Sequence, residues 1–136
     1  MLLTPYLNFN GQCEEAFNFY QRALGGKIEA MISHEGTPAA QHVPADWVKK
    51  IMHARLNIDG QVLMGADSPV NSYSKPKGFA VSIQVKEPKE ADRIFSQLAQ
   101  NGSVDMPIQQ TFWAARFGML RDKYGIPWMI NCDQAQ

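Results

Sequence analysis

The sequence lacks an excess of charge of either sign, because thirteen lysines and arginines balance thirteen aspartates and glutamates among 136 residues. It also lacks a long basic run. A broad positive field is what attracts nucleic acids and anionic lipid surfaces, so we expect neither as a partner. No apolar run approaches the roughly 20 residues that cross a bilayer, and no secretory leader pattern appears. These absences predict a cytoplasmic protein that does not bind nucleic acids or membranes.

Cysteine is scarce, and the common catalytic motifs are missing. Cys13 and Cys132 belong to no C-x-x-C or other zinc spacing. In a reducing compartment both should remain free thiols. No P-loop, Ser-His-Asp arrangement or pair of catalytic carboxylates can be placed. Short motifs therefore identify no reaction, and the organisation of the whole chain carries more information.

The chain does contain an internal repeat. Residues 15–29 and 90–105 both open with Glu-Ala and both end in a glycine followed by a short strand-like segment. A second echo pairs residues 60–64 with 125–129, each of which begins with glycine and ends with methionine. Repetition of this kind indicates two similar units packed against each other, with a groove where they meet.

Hydrophobic periodicity predicts the same order of elements, β-α-β-β-β, in both units. Apolar residues at spacings of three and four predict a helix from about Cys13 to Leu24 and a second helix with Pro88 in its first turn and an apolar stripe from Ala91 to Leu98. We expect one domain over residues 1–136, with repeats at about 3–66 and 78–133. The fold class is α+β, with helices on one face of curved, mostly antiparallel sheets. The predicted strands are 3–9, 26–33, 53–58, 61–66, 78–85, 102–108, 113–121 and 126–132.

Three sequence blocks are distinctive: Pro5–Gly11 (PYLNFNG), His53–Arg55 (HAR), and a long block over residues 111–131 that contains TFWAARFG and DKYGIPWMIN. Together with the duplicated plan, they resemble the PhnB-like branch of the glyoxalase/bleomycin-resistance/extradiol-dioxygenase superfamily, also called vicinal oxygen chelate. The resemblance covers essentially the entire chain. It implies a homodimer, because members often pair so that sheets from both chains build the site.

Some members of this branch are labelled as ubiquinone-pathway methyltransferases, an activity that we do not expect here. Common enzymes that use S-adenosylmethionine have a glycine-rich loop after the first strand of a parallel sheet. The corresponding segment, Asn10-Gly11-Gln12, has a single glycine, and the predicted sheets are not parallel.

The resemblance also implies four metal-binding positions, one on the first and one on the fourth strand of each unit. Superfamily enzymes place His or Glu there, and the repeat carries these positions onto Thr4, Met64, Ala80 and Met129. None is a normal ligand for a hard or borderline cation, and a shift of one residue brings in no ligand either. The methionines could suit a soft ion such as Cu(I), although adaptable packing is the simpler interpretation. We therefore expect no metal and no other cofactor, which argues against a metal-dependent lyase or dioxygenase.

If the apolar strand faces pack on the helices, the opposite faces line the groove with polar side chains. Trp113 could stack on a flat ligand, and Arg116 could hold an anion. Alternatives remain open, because these two residues could instead form a lid or a subunit contact, and Arg55 could form a structural salt bridge. The predicted ligand-binding residues are Tyr6, Asn8, Arg55, Ser82, Gln84, Trp113 and Arg116.

We therefore predict a metal-free protein that binds a small polar or anionic ligand. Bleomycin-resistance proteins, which bind without turnover, are the model that the resemblance suggests. The alternative is a cofactor-independent enzyme in which His53 acts as general base and Arg55 or Arg116 holds an anionic group. A histidine that is merely hydrogen-bonded to a neighbouring strand is the competing interpretation of His53.

Overall fold

The computed structural model describes residues 1–135 and divides the chain into two compact units, Met1–Ser74 and Lys75–Gln136. Within residues 1–135, each unit contains one α-helix and one four-stranded sheet in the order β-α-β-β-β. The predicted fold class is therefore confirmed, and each predicted repeat falls within one unit. The expectation that the whole chain is one domain stays a prediction.

The first unit has one α-helix and four strands, with two short 3-10 helices between the second and third strands. The elements are β1 (Tyr6–Phe9), α1 (Cys13–Leu24), β2 (Lys27–Ser33), the 3-10 helices Pro38–His42 and Ala45–Trp47, β3 (Ile51–Ile58) and β4 (Gln61–Asp67). The sheet order is β1-β4-β3-β2, with β1 and β4 parallel and the other two pairings antiparallel.

The second unit repeats this topology. The elements are β5 (Val81–Val85), α2 (Pro88–Leu98), β6 (Ser103–Gln109), β7 (Ala114–Arg121) and β8 (Pro127–Asp133). The sheet order is β5-β8-β7-β6, in which β5 and β8 are the parallel pair. No helix among residues 1–135 is long and apolar enough to cross a membrane.

The strand registers of the two units correspond. Tyr6 lies opposite Met64 in the first unit, and Ser82 lies opposite Met129 in the second. The repeat is therefore present in the pairing of the strands as well as in the sequence.

Two equivalent glycines show the same close approach. A Cβ atom on Gly26 would lie 2.2 Å from the carbonyl oxygen of Asn57, and one on Gly102 would lie 2.2 Å from that of Arg121. In each unit the chain entering the second strand thus touches the backbone of the third strand, where only glycine leaves room. This contact explains why the sequence echo ends in glycine in both units.

Each helix covers one face of the sheet in its own unit. A stripe of apolar residues at helical spacing is buried on each helix, while the strand residues between the buried ones point to the other face. That other face is called here the open face, because no helix of the same unit covers it. The buried helix residues are Cys13, Ala16, Phe17, Phe19, Tyr20 and Ala23 on α1, and Ala91, Ile94, Phe95 and Leu98 on α2.

Candidate functional site

The open face of the first sheet brings two predicted residues into contact. The hydroxyl of Tyr6 on β1 lies 3.4 Å from Nδ1 of His53 on β3, and the two rings stack with centroids 6.0 Å apart. Tyr6 is 47% exposed, and Asn8 is exposed two residues further along β1. Partial burial, with a smaller contribution from Cys13, raises the pKa of the Tyr6 hydroxyl above its ordinary value. The phenol is therefore protonated at neutral pH and able to donate a hydrogen bond to His53.

Arg55 lies on the same strand as His53, and its charge is already paired. Its Nε donates to Oε1 of Glu29 at 2.8 Å, while Nδ2 of Asn57 donates to Oε2 at 3.4 Å. The hydrogen bond from Arg55 lowers the pKa of the Glu29 carboxyl. The sequence did not indicate Glu29 as part of this face, because the residue sits at a register shift between Ile28 and Ala30. Such a bulge moves a side chain out of simple alternation.

In the second unit, the open face carries a chain of polar side chains. Gln84 on β5 lies opposite Asn131 on β8. Nδ2 of Asn131 donates to Oε1 of Gln84 and to Oδ1 of Asp133, both at 2.9 Å. Ser82 is exposed two residues before Gln84 and lies opposite Met129. Sequence reasoning missed Asn131 as a site residue, although its alternation with Met129 on β8 indicates the same face.

Trp113 lies just before β7 in an anchored turn. Its ring centroid is 5.5 Å from that of Phe117 and 4.8 Å from that of Phe112, and the residue is 48% exposed. Oγ1 of Thr111 accepts hydrogen bonds from the backbone N–H groups of Trp113 and Ala114 at 3.3 and 3.0 Å. A half-exposed indole on a fixed turn is suited to stacking on a flat partner.

Arg116 is the one predicted binding residue that points towards a helix. Its Nε donates to Oδ1 of Asp92 on α2 at 3.1 Å, and its strand partner Cys132 is buried. The structure therefore does not bring Arg116 together with Ser82 and Gln84 on the open face. Its use as an anion-binding group stays a prediction, which would require the ion pair with Asp92 to open.

The segment between β2 and β3 forms a cavity of about 300 Å³ in the first unit. His34, His42, Trp47 and Asp67 are among its lining residues. Nδ1 of His34 lies 2.9 Å from the carbonyl oxygen of Lys50, and Nε1 of Trp47 is buried without a hydrogen-bond partner among residues 1–135. None of the predicted site residues lines this cavity.

This duplicated mixed-sheet fold is the one that the resemblance to the vicinal oxygen chelate superfamily implies. The fosfomycin resistance protein FosX from Listeria monocytogenes shares it, with a TM-score of 0.67 at 10% identity over 98% of this chain and 94% of that one. At that identity the likeness concerns the fold alone.

The family can also be identified. The family model described as 3-demethylubiquinone-9 3-methyltransferase matches residues 2–131, and the chain belongs to this family, whose members include PhnB proteins. Protein YjdN of Escherichia coli strain K12 is 36% identical over all of this chain and 98% of its own length. The structure of protein PA1353 from Pseudomonas aeruginosa has a TM-score of 0.90 at 47% identity, over 99% of both chains.

A Bacillus cereus protein described as a putative 3-demethylubiquinone-9 3-methyltransferase and PhnB protein has a TM-score of 0.82 at 28% identity, over 97% of this chain and 99% of that one. The resemblance to the PhnB-like branch is thereby confirmed.

The residues at the superfamily's metal positions do not fit a divalent ion. Met64 on β4 and Met129 on β8 supply only thioethers. Thr4 and Ala80, the other two positions that the repeat indicated, precede β1 and β5 and supply no normal ligand. The residues that pair with the methionines are instead Tyr6 and Ser82, which supply a phenol and a hydroxyl. Hard and borderline cations take carboxylate and imidazole ligands instead. No group of three His, Cys, Asp or Glu side chains suited to a metal occurs within the part of the chain that the structure describes. We therefore derive no chemistry through a metal.

Proposed function

We propose that this PhnB-like protein binds a small polar molecule on the open faces of its sheets without a metal ion. The observation that carries the proposal is the matched pair of positions at Tyr6 with Met64 and at Ser82 with Met129. In both units a hydrogen-bonding side chain stands beside an adaptable thioether. Such a surface can hold a ligand by shape and hydrogen bonds.

The ion pairs of the two predicted anion-binding arginines favour an uncharged ligand over an anion. Arg55 is paired with Glu29 at 2.8 Å, and Arg116 is paired with Asp92 at 3.1 Å. An anionic ligand would have to displace a carboxylate from one of these guanidinium groups. A neutral polar ligand needs no such exchange. We therefore narrow the predicted ligand class from polar or anionic molecules to polar, uncharged molecules.

The test is a thermal-shift and native mass-spectrometry screen of neutral polar compounds against protein dialysed with EDTA. We expect binding with no metal present, unchanged when Mn²⁺, Zn²⁺ or Ni²⁺ is added back. Ser82→Ala should weaken it, whereas Ser103→Ala, an exposed serine at the start of β6, serves as the control. Stoichiometric metal in the purified protein, with binding lost on its removal, would contradict the proposal.

A second candidate is a cofactor-independent enzyme with His53 as general base, favoured by the contact between Tyr6 and His53. If Tyr6 donates to Nδ1, the neutral ring carries its proton on Nε2 and offers a donor to a ligand. A general base needs the opposite tautomer, in which Nδ1–H donates to the Tyr6 oxygen. The enzyme hypothesis therefore expects His53→Ala to abolish turnover of a bound compound while leaving its affinity intact.

Methyl transfer, named in the description of the family model, is not part of the proposal. In the part of the chain that the structure describes, each sheet has only one parallel pair of strands, and the turn after β1 contains a single glycine, Gly11. Isothermal titration with S-adenosylmethionine should therefore show no binding.

We also propose a homodimer, as the resemblance suggests. Large apolar side chains are exposed in both units, including Leu2 and Leu3 in the first and Phe79 and Phe112 in the second. Sedimentation equilibrium should give twice the chain mass of 15.3 kDa, and a monomer at micromolar concentration would contradict this. The cytoplasmic location stays a prediction from the sequence.

A further inference from the structure

The orientation of two side-chain amides on the open face of the second sheet is determined by a carboxylate. A carboxylate only accepts hydrogen bonds, so Asn131 must turn its NH₂ group towards Asp133, 2.9 Å away. The same NH₂ group donates to Gln84 at 2.9 Å, so Gln84 must turn its oxygen towards Asn131. Asp133 therefore sets the orientation of both amides.

This arrangement leaves one donor and one acceptor for a ligand. Nε2 of Gln84 and Oδ1 of Asn131 have no hydrogen-bond partner among residues 1–135, and the two residues lie opposite each other on adjacent strands. A neighbouring donor and acceptor complement the carbonyl and N–H of an amide or lactam. A carboxylate ligand would match only the donor and would be repelled by Asp133.

Aromatic side chains lie beside Gln84 and Asn131 on the next strand of the same sheet. Phe117 lies opposite Asn131 on the other side of β8, and Trp113 packs on Phe117 at 5.5 Å. Nε2 of Gln134 donates to the backbone carbonyls of Thr111 and Phe112 at 3.2 and 3.4 Å, which anchors the turn carrying Trp113. One end of a planar ligand can thus form hydrogen bonds with Gln84 and Asn131, while its other end contacts the indole of Trp113.

We propose that the open face of the second sheet recognises a planar, uncharged amide or lactam. Gln84 donates to the ligand carbonyl, Asn131 accepts from the ligand N–H, and Trp113 stacks on the ring. This inference rests on the proposed function and specifies its ligand class. Asp133 acts as a positioning residue, because it orients the amides without touching the ligand.

The test uses two matched probes in isothermal titration and saturation-transfer NMR: 2-quinolone, a planar lactam, and N-methyl-2-quinolone, which lacks the N–H. We expect 2-quinolone to bind about tenfold more tightly, which corresponds to roughly 1.4 kcal/mol for one hydrogen bond. Equal affinity for the two probes would overturn the inference.

Gln84→Glu is the informative substitution, because the glutamate still accepts from Asn131 but has no donor for the ligand. It should weaken 2-quinolone binding about tenfold or more. Gln61→Glu, at an exposed position on β4, makes the same charge change and should leave the affinity unchanged. Trp113→Ala should weaken both probes alike.

Asp133→Asn tests the positioning role. The new amide can donate as well as accept hydrogen bonds, so the amides of Asn131 and Gln84 are no longer held in one orientation. The preference for 2-quinolone over its N-methyl analogue should therefore disappear. A merely structural loss would instead weaken the binding of both probes equally. If other neutral compounds bind and depend on Ser82 while 2-quinolone does not bind, this inference fails and the proposed function stands. If no neutral polar compound binds at all, both fail.

Discussion

Asp122 shows at the level of one residue how a turn is coupled to the core. This buried carboxylate accepts hydrogen bonds from the backbone N–H groups of Tyr124 and Ile126 at 2.8 and 3.0 Å, and from Nε1 of Trp128 at 2.9 Å. The turn sequence Asp122-Lys123-Tyr124-Gly125 predicts the bonds to the turn backbone, because aspartate commonly makes them. It could not predict the bond to Trp128, because that contact depends on how the core packs.

Asp122→Asn should lower the free energy of unfolding by about 2–4 kcal/mol. The NH₂ group of the new amide takes the place of one carboxylate oxygen and faces an N–H group. That buried N–H group then has no acceptor. Urea denaturation followed by tryptophan fluorescence measures the loss. Asp59→Asn is the control, because Asp59 is exposed in a turn with φ of 52°, a conformation that asparagine tolerates. Equal losses in the two variants would show that the Asp122 network contributes little.

Cys13 is a buried thiol, although its position at the start of α1 could stabilise a thiolate. Burial is the main cause that raises the pKa of this thiol, and the negative charges of Asp67 and Glu14 add to it. Cys132 is also free and fully buried. The expectation of free thiols is confirmed.

Both thiols should therefore react with 5,5′-dithiobis(2-nitrobenzoate) at neutral pH far more slowly in the folded protein than in urea. Denatured protein should titrate two thiols per chain, in agreement with the two cysteines of the sequence. Fast reaction of one thiol in the native protein would indicate an accessible, activated cysteine. Cys13→Ser would then identify which thiol reacts.

At the level of elements, the helices were predicted more accurately than the strand ends. The first helix has the predicted bounds, and the second begins at the predicted proline and contains the whole predicted stripe, because apolar stripes and flanking residues are local signals. The strand predicted over residues 3–9 begins only at Tyr6, and the one predicted over 78–85 begins at Val81. These two predictions were wrong because a proline lies where each pairing begins. Pro5 directly precedes β1, Pro127 opens the partner of β5, and neither has an N–H to extend the pairing.

The pairing of β2 with β3 includes the ion pair between Glu29 and Arg55, which makes a pH-dependent contribution. The pKa of Glu29 is lowered in the folded protein, so the unfolded chain binds a proton more readily. The stabilisation is fully present above the ordinary glutamate value of about 4.3 and disappears as pH falls through the lower folded value.

Glu29→Gln should therefore make the melting temperature depend less on pH below about pH 4.5. At neutral pH, the melting temperature of this variant should be slightly lower than that of the wild type. Thermal unfolding followed by circular dichroism between pH 2.5 and 7 tests this. Glu35→Gln, at an exposed position in the segment after β2, is the control. If both variants follow the wild-type curve, the ion pair contributes nothing to stability.

On the scale of the whole chain, the repeat was readable from sequence but most of the partners on the open faces were not. Equivalent positions have diverged: Arg55 lies opposite Met64 in the first unit, and Met119 lies opposite Met129 in the second. Alternation identified Gln84 as an open-face residue, whereas the acid paired with Arg116 lies on a helix. Partners that come from another element cannot be found from the period of one strand.

The duplicated backbone contact at Gly26 and Gly102 allows the destabilisation caused by an added Cβ atom to be separated into two parts. One part is backbone strain at a positive φ, and the other is the steric contact with a backbone oxygen. Gly60 has φ of 85° with nothing within 4 Å of an added Cβ, so Gly60→Ala measures backbone strain alone. At Gly102 an added Cβ would make the 2.2 Å contact, but the backbone φ is not positive, so only the steric contact contributes. At Gly26 the steric contact and a positive φ of 86° both contribute.

We expect Gly60→Ala to destabilise by about 1 kcal/mol. Gly102→Ala should cost about 3 kcal/mol, because the obstructing atom is a backbone oxygen that cannot rotate away, and Gly26→Ala should cost most. Urea unfolding of the three variants measures this order. A loss for Gly102→Ala as small as that for Gly60→Ala would mean that the strands can separate at no cost. The matching glycines would then reflect shared ancestry of the two units rather than a packing constraint on each.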